Sequence, residues 1–83
     1  YPNPFNTATN IRFDLAKRDN VYISIHDILG REVLSSMKTL KPGRHQFLWE
    51  GFNNNGNKVS SGVYFFNLKT GDNFYIQKML LLK

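Results

Sequence analysis

Residues 49–64 read WEGFNNNGNKVSSGVY and join two apolar segments through a polar loop. Glycines stand at positions 51, 56 and 62 of this loop. Glycine adopts positive φ angles, which tight turns require and which a β-carbon disfavours. The stretch therefore predicts a strand that ends at Trp49, a turn-rich loop, and a second strand that opens at Val63. The segments before the loop are typical of short strands, and those after it of one closing hairpin.

The chain length and composition indicate one small domain without disulfides. Its 83 residues should bury about 60–65% of the surface that the unfolded chain exposes. The sequence contains no cysteine, which excludes thiolate metal sites and cysteine nucleophiles. No apolar run approaches the roughly 20 residues of a membrane helix, and no signal peptide opens the chain. Because the first residue is Tyr1 rather than methionine, we expect a piece of a longer protein.

The positive net charge does not predict binding to nucleic acid. The charge of +5 comes from 11 basic and 6 acidic residues. The basic residues are dispersed along the chain, and only Lys17 and Arg18 are adjacent. Since no basic run or stripe is present, we expect solvated surface charge and no nucleic-acid partner.

Six segments have the patterns of β-strands. Residues 11–15 and 21–26 alternate between apolar and polar side chains, as half-buried strands do, and turn residues such as the Pro42-Gly43 pair separate the segments. The two prolines in residues 1–10 predict an extended lead-in segment. The predicted strands are residues 11–15, 21–26, 31–37, 44–49, 63–70 and 74–83, with a weak seventh near Lys58 and Val59. This pattern predicts an all-β, immunoglobulin-like antiparallel β-sandwich of about seven strands, with residues 1–83 as a single domain.

The aromatic residues allow two interpretations. They could form a platform on which sugar rings stack, with Tyr22, Trp49, Tyr64, Phe66 and Tyr75 as candidates. However, His45, Phe47 and Trp49 share one face of their predicted strand, and this is the face expected to point into the core. We therefore favour core filling over a ligand platform.

No motif brings together residues typical of catalysis or metal binding. His26 and His45 belong to different predicted strands, and neither has a carboxylate and a nucleophile at a motif spacing. The asparagine-rich loop offers mainly neutral amides and only Glu50 as a nearby carboxylate, so turn formation explains it better than calcium binding. We predict no enzyme activity, no metal site and no cofactor.

The C-terminal segment MLLLK, residues 79–83, is short and apolar. Such a segment promotes aggregation if it is exposed. It either completes the sheet or is recognised by a partner, and the residues themselves leave both interpretations open. A partner could bind it by adding a strand, a mode in which main-chain hydrogen bonds supply affinity. This mechanism requires an ordered strand at the edge of a sheet.

Several motifs together resemble one family. They are YPNPFN at residues 1–6 with Thr9 and Ile11, VYISIHDILGREV at 21–33, GRHQFLWEG at 43–51, SGVYFF at 61–66 and KMLLLK at 78–83. This set resembles the C-terminal sorting domains of the type IX (Por) secretion system of Bacteroidetes, and it is similar to the Ig-like module of flagellar hook-capping proteins. The positions that carry the family motif are Pro2, Asn3, Pro4, Asp27, Gly30, Arg31, Trp49 and Gly51.

The resemblance implies a C-terminal secretion signal for an attached cargo protein. The cargo would pass transiently through the periplasm and cross the outer membrane, to become extracellular or bound to the cell surface. The implied partners are the type IX translocon, its outer-membrane shuttle protein, a sortase-like C-terminal signal peptidase that cuts before Tyr1, and the N-terminal cargo domain in cis. The implied sorting-signal residues are Gly62, Val63, Tyr64, Gly71, Lys78, Met79, Leu80, Leu81, Leu82 and Lys83.

Two other functions remain open at this point. The domain could be an Ig-like accessory module that binds carbohydrate for an attached enzyme, or a structural domain of a larger extracellular protein. An exposed row formed by Trp49 and the tyrosines would favour the carbohydrate module.

Overall fold

The computed structural model describes residues 8–82, which fold into two antiparallel β-sheets. The strands are β1 (Thr9–Leu15), β2 (Asp19–Asp27), β3 (Glu32–Leu40), β4 (Gly43–Trp49), β5 (Gly62–Lys69) and β6 (Phe74–Leu81). One sheet pairs β1 with β4, and the other has the order β3-β2-β5-β6. This second order matches the C′, C, F and G strands of an immunoglobulin sandwich, in which β1 and β4 correspond to strands B and E. The predicted fold class is confirmed.

The alternation of apolar residues places one face of each strand in the core. In β2, Val21, Ile23 and Ile25 are buried, as the sequence predicts. In β4, His45 and Phe47 are half-buried and Trp49 is buried, so the predicted inward face of this strand is also confirmed. Successive side chains of a strand point to opposite faces of a sheet, and this period of two accounts for both patterns.

The core lies between the two sheets and is predominantly apolar, and Ser24 and Thr70 are the buried residues of polar type among residues 8–82. Fully burying a large apolar side chain contributes about 1.5–3 kcal/mol, so the apolar residues supply the main stabilisation of the fold. The buried hydrophobic residues are Ile11, Leu15, Val21, Ile23, Ile25, Trp49, Tyr64, Phe66, Leu68, Met79 and Leu81.

The predicted seventh strand near Lys58 and Val59 is wrong. The described residues contain six strands, and this segment forms only an isolated bridge between Phe52 and Lys58. The side-chain oxygen of Asn53 accepts hydrogen bonds from the backbone N–H groups of Asn55 and Asn57, both at 3.0 Å. The N–H of Val59 donates to the carbonyl oxygen of Gly51 at 2.8 Å, so the segment closes its own turn-rich loop and adds no strand to either sheet.

Two strands extend into segments that the sequence predicts as turns. β2 begins at Asp19 and β3 continues to Leu40, where the sequence predicts turns. The reason is cross-strand pairing, since Asp19 lies opposite Leu40 and the Thr39 hydroxyl donates to the Asn20 side-chain oxygen at 2.7 Å. The pairing of the two strands overrides the local turn propensity of these polar residues.

Part of the predicted lead-in segment lies outside the described residues. This applies to residues 1–7, which include Pro2, Asn3 and Pro4, and to Lys83 at the other end. No helix long and apolar enough to cross a membrane occurs between residues 8 and 82.

Candidate functional site: the closing hairpin

Apart from Gly71 and Lys83, which lies outside the described residues, the predicted sorting-signal residues lie toward the open end of the hairpin that β5 and β6 form. Antiparallel pairing sets the start of β5 against the end of β6. Residues far apart in the sequence thereby become direct neighbours on adjacent strands. The cross-strand pairs are Gly62 with Leu81, Val63 with Leu80, Tyr64 with Met79 and Phe65 with Lys78.

The final strand buries one row of side chains and exposes the other. Met79 and Leu81 are 4% and 0% exposed and belong to the core cluster. Leu80, between them, is 52% exposed on the opposite face. Leu82 follows the strand and is half-buried. The apolar tail therefore has two roles that alternate along the chain, one in folding and one at the surface.

Trp49 and Tyr64 anchor this end of the sandwich across the two sheets. Their rings pack edge to face with centroids 5.0 Å apart. The Trp49 indole N–H donates to the carbonyl oxygen of Phe52 at 2.9 Å, and the Tyr64 hydroxyl donates to the carbonyl oxygen of Ser60 at 2.6 Å. The second bond has the geometry of the tyrosine corner at the start of strand F in immunoglobulin sandwiches.

The burial of these rings decides between the two interpretations of the aromatic residues. Trp49, Tyr64 and Phe66 are at most 4% exposed, so they fill the core and offer no face to a sugar. Tyr22 is half-buried and Tyr75 is 46% exposed, and they belong to different strands, β2 and β6. No exposed row formed by Trp49 and the tyrosines is present in the described part of the chain.

The turn between β2 and β3 is held by Asp27 at the same end of the molecule. One carboxylate oxygen of Asp27 accepts hydrogen bonds from the N–H groups of Leu29 and Arg31, each at 2.9 Å. The other oxygen accepts from Nε of Arg31 at 2.7 Å. Gly30 has a φ of 83°, a conformation that only glycine adopts without strain. The family-motif residues Asp27, Gly30 and Arg31 thus form one rigid turn.

The electrostatics of the turn keep Asp27 ionised. Partial burial acts to raise the pKa of Asp27, but the hydrogen bonds from Arg31 and Leu29, together with the charge of Arg31, outweigh it. The pKa of this carboxyl therefore lies below its ordinary value of 3.8. Asp27 also lies opposite Tyr64 on the neighbouring strand. A cleft of about 140 Å³ separates the turn from the start of β5.

The two outer strands of the four-stranded sheet, β3 and β6, differ in how their edges are covered. The asparagine loop lies along β3, where the N–H of Asn54 donates to the carbonyl oxygen of Val33 and the N–H of Ser35 donates to the Asn54 side-chain oxygen, both at 3.0 Å. Asn54 thereby imitates a neighbouring strand. On its outer side, β6 has no neighbouring strand among residues 8–82, and β5 is its single partner.

The family of the chain follows from a comparison with known proteins. Residues 1–82 match the family of secretion system C-terminal sorting domains. The chain belongs to this family. The resemblance drawn from the sequence motifs is thereby confirmed, and the chain is a type IX secretion C-terminal sorting signal whose cargo is secreted across the outer membrane. Sorting domains of this family are not themselves catalytic.

Two solved structures share the fold of the sorting domain. One is FlgD from Pseudomonas aeruginosa, with a TM-score of 0.68 and 23% identity over 89% of this chain. The other is dimeric latent PorU from Porphyromonas gingivalis, with a TM-score of 0.72 and 20% identity over 99% of this chain. The sorting domain spans 60% of the FlgD chain and 9% of the PorU chain. No curated protein matches the sequence.

Gly71 lies apart from the other predicted signal residues. It belongs to the turn of the closing hairpin, at the opposite end of β5 and β6 from Gly62 and Leu81. Its N–H donates to a carboxylate oxygen of Asp19 at 3.2 Å, and a β-carbon at this position would approach the same oxygen to 3.3 Å. Gly71 therefore ties the hairpin turn to the start of β2.

Sequence reasoning missed two residues that organise the site. Asn54 covers the edge of β3, and the carbonyl oxygen of Ser60 receives the Tyr64 hydroxyl. The spacing of Tyr64 four residues after Ser60, at the start of a strand, was the available signal for the second contact. Among residues 8–82, no group of three or more histidine, aspartate and glutamate side chains is arranged to hold a metal ion.

Proposed function

We propose that the sorting domain is recognised at the free edge of β6, to which the type IX translocon or its outer-membrane shuttle protein adds a strand. The observation that carries this proposal is the difference between the two edges of the four-stranded sheet. Asn54 pairs with the edge of β3 at Val33 and Ser35, whereas within residues 8–82 β6 has a strand on one side only. An uncovered edge presents unpaired N–H and C=O groups, which are a template for another strand.

Strand addition would use the main-chain hydrogen-bonding groups of β6 and its exposed side chains. Each new main-chain hydrogen bond contributes about 0.5–1.5 kcal/mol net, so a few of them support a reversible complex. Side chains that alternate along β6 supply selectivity, and the exposed apolar residues among them are Phe74, Ile76 and Leu80. Met79 and Leu81 hold the strand in register from the core side. The signal is thus a folded edge rather than a linear peptide.

The same end of the sandwich also leads toward the cargo. Thr9, at the start of β1, lies opposite Trp49, which packs on Tyr64, the cross-strand partner of Met79. The start of β1 and the end of β6 therefore lie at one end of the domain. After export, a sortase-like C-terminal signal peptidase would cut before Tyr1, and the cargo would be joined to surface lipopolysaccharide. The domain itself would serve as a signal without catalytic activity, transiently in the periplasm and then outside the cell.

Export of a reporter protein tests the proposal. The domain, residues 1–83, is fused to the C-terminus of a reporter with a Sec signal peptide in a type IX host. Leu80→Lys places a charge on the free edge of β6, which opposes strand addition. We expect export to fall about tenfold or more, which corresponds to about 1.4 kcal/mol of lost binding. Deletion of residues 80–83 should abolish export.

Leu48→Lys is the matched control. Leu48 is 57% exposed on β4, close to the 52% of Leu80, and it lies on the other sheet. This variant should be exported as efficiently as the unmodified fusion. Undiminished export after deletion of residues 80–83 would reject the proposal, and so would equal losses for the two lysine variants.

A further inference from the structure

The closing hairpin has a second surface, its outer face, which points away from the core. The inward neighbours of its residues, among them Tyr64, Phe66 and Met79, are buried. No part of residues 8–82 forms a layer over this outer face, since Phe74 is 63% and Ile76 is 54% exposed. By the strand register, the outer face consists of Val63, Phe65, Asn67 and Lys69 of β5 and Phe74, Ile76, Lys78 and Leu80 of β6.

The charge of the outer face is of one sign. Neither β5 nor β6 contains an aspartate or a glutamate, and their charged residues are Lys69 and Lys78. Both lysines lie on the outer face, where Lys69 is opposite Phe74 and Lys78 is opposite Phe65. Two carboxylates of neighbouring segments have partners elsewhere, since Glu32 of β3 accepts a hydrogen bond from the Tyr22 hydroxyl and Asp72 of the hairpin turn pairs with Lys17 at 3.4 Å. The hairpin therefore presents an apolar strip with two cations that no acidic residue of its own strands neutralises.

We propose that the outer face of the closing hairpin docks on a protein of the export machinery whose surface is apolar and carries carboxylates opposite Lys69 and Lys78. This proposal rests on the proposed function and names a second contact beyond the edge of β6. Exposed apolar side chains of this size are typical of protein contact surfaces. Complementary charges around an apolar centre select the partner and orient it.

The charges of the outer face disfavour two other possible partners, a second copy of this chain and an anionic lipid surface. A second copy of this chain docked face to face would bring lysines against lysines, which opposes association. Anionic lipid is recognised by clusters of about four to eight basic residues, and this face has Lys69 and Lys78 alone. A protein surface with carboxylates satisfies both the apolar strip and the two cations.

The test uses charge reversal in the same reporter fusion. Lys69→Glu with Lys78→Glu should lower export about tenfold or more, because two attractive contacts become repulsive. Ile76→Ser with Phe74→Ser should lower it comparably without a change of charge. The matched control is Lys38→Glu with Lys58→Glu, which alters the net charge equally on exposed residues of β3 and the asparagine loop. This control should be exported normally. Circular dichroism of each purified fusion confirms that the fold is retained.

The other possible results show whether the outer-face proposal or the proposed function is wrong. Leu80 belongs to both surfaces, so the variants that leave it intact decide between them. If Leu80→Lys blocks export but the Lys69/Lys78 reversal and the Phe74/Ile76 double variant do not, the edge of β6 is the signal and the outer-face proposal is wrong. If neither Leu80→Lys nor the Lys69/Lys78 reversal blocks export, the proposed function itself is wrong. Binding of the unmodified domain to vesicles with 30 mol% anionic lipid, lost on charge reversal, would assign the face to lipid and overturn the proposal. A dimer in sedimentation that Ile76→Ser disperses would assign it to a second copy, with the same consequence.

Discussion

Replacing Leu81 by alanine tests whether the apolar tail is part of the core. Leu81 is 0% exposed, whereas its neighbour Leu80 is 52% exposed on the opposite face. Truncation of a fully buried leucine costs about 2–5 kcal/mol, the sum of lost transfer energy and the cavity that remains. An 83-residue domain has a total stability of about 4–12 kcal/mol. Leu81→Ala should therefore remove a large fraction of the stability.

The expected shift is large enough to measure directly. Each kcal/mol lowers the Tm of a domain of this size by about 4–8 °C, so a loss of about 3 kcal/mol lowers the Tm by about 12–24 °C. Leu80→Ala should cost about 1 kcal/mol or less, because that side chain is already half in water. The single tryptophan, Trp49, is buried against Tyr64, and its fluorescence reports the unfolding of this end of the core.

Thermal and urea unfolding of Leu81→Ala and Leu80→Ala test which side chains of the tail belong to the core. A loss below about 1 kcal/mol for Leu81→Ala, or equal losses for both variants, would refute the division of the tail into a core row and a surface row. The same comparison is a control for unfolding in the export experiments, since Leu80 variants should remain stable while they lose export.

Two further predictions concern the β3 edge and the β2–β3 turn. Asn54→Ala removes the side-chain hydrogen bond to Ser35, which should lower the free energy of unfolding by about 1 kcal/mol and uncover the edge of β3. Sedimentation should then detect self-association of this variant, and the control Asn55→Ala should show none. The pKa of Asp27 is lowered by folding, so its contribution to stability is present above the ordinary pKa of 3.8 and is lost as the pH falls through the lower folded-state value. Asp27→Asn should flatten this acid limb in urea unfolding between pH 2 and 5; an unchanged limb would contradict the role assigned to its hydrogen bonds.

Local patterns predicted most of the strands because burial on one face imposes a period of two. The alternation at Val21, Ile23 and Ile25 identified β2 and its inward face, and the parity of Phe47 and Trp49 did the same for β4. The turn at Gly30 was also visible, since its positive φ calls for glycine. Each of these signals is carried by residues within one element.

The errors occurred where long-range pairing decides the structure. β3 extends to Leu40 because β2 pairs with it as far as Asp19. The segment near Val59 is no strand because it pairs back on the start of its own loop, where the N–H of Val59 donates to the carbonyl oxygen of Gly51. In both places the local propensity gave the wrong element, since contacts with other segments of the chain outweighed it.

The amino-acid order by itself determined an all-β sandwich, its main turns, its apolar last strand and its membership of the sorting-domain family. Only the tertiary structure decided which edge of the larger sheet is covered and which side chains of the tail are exposed. Asn54 and Ser35 are 19 residues apart, and no local pattern predicts that they meet. Strand order depends on contacts between distant segments, so the edge of β6 that residues 8–82 leave unpaired exists only once the whole sandwich has formed.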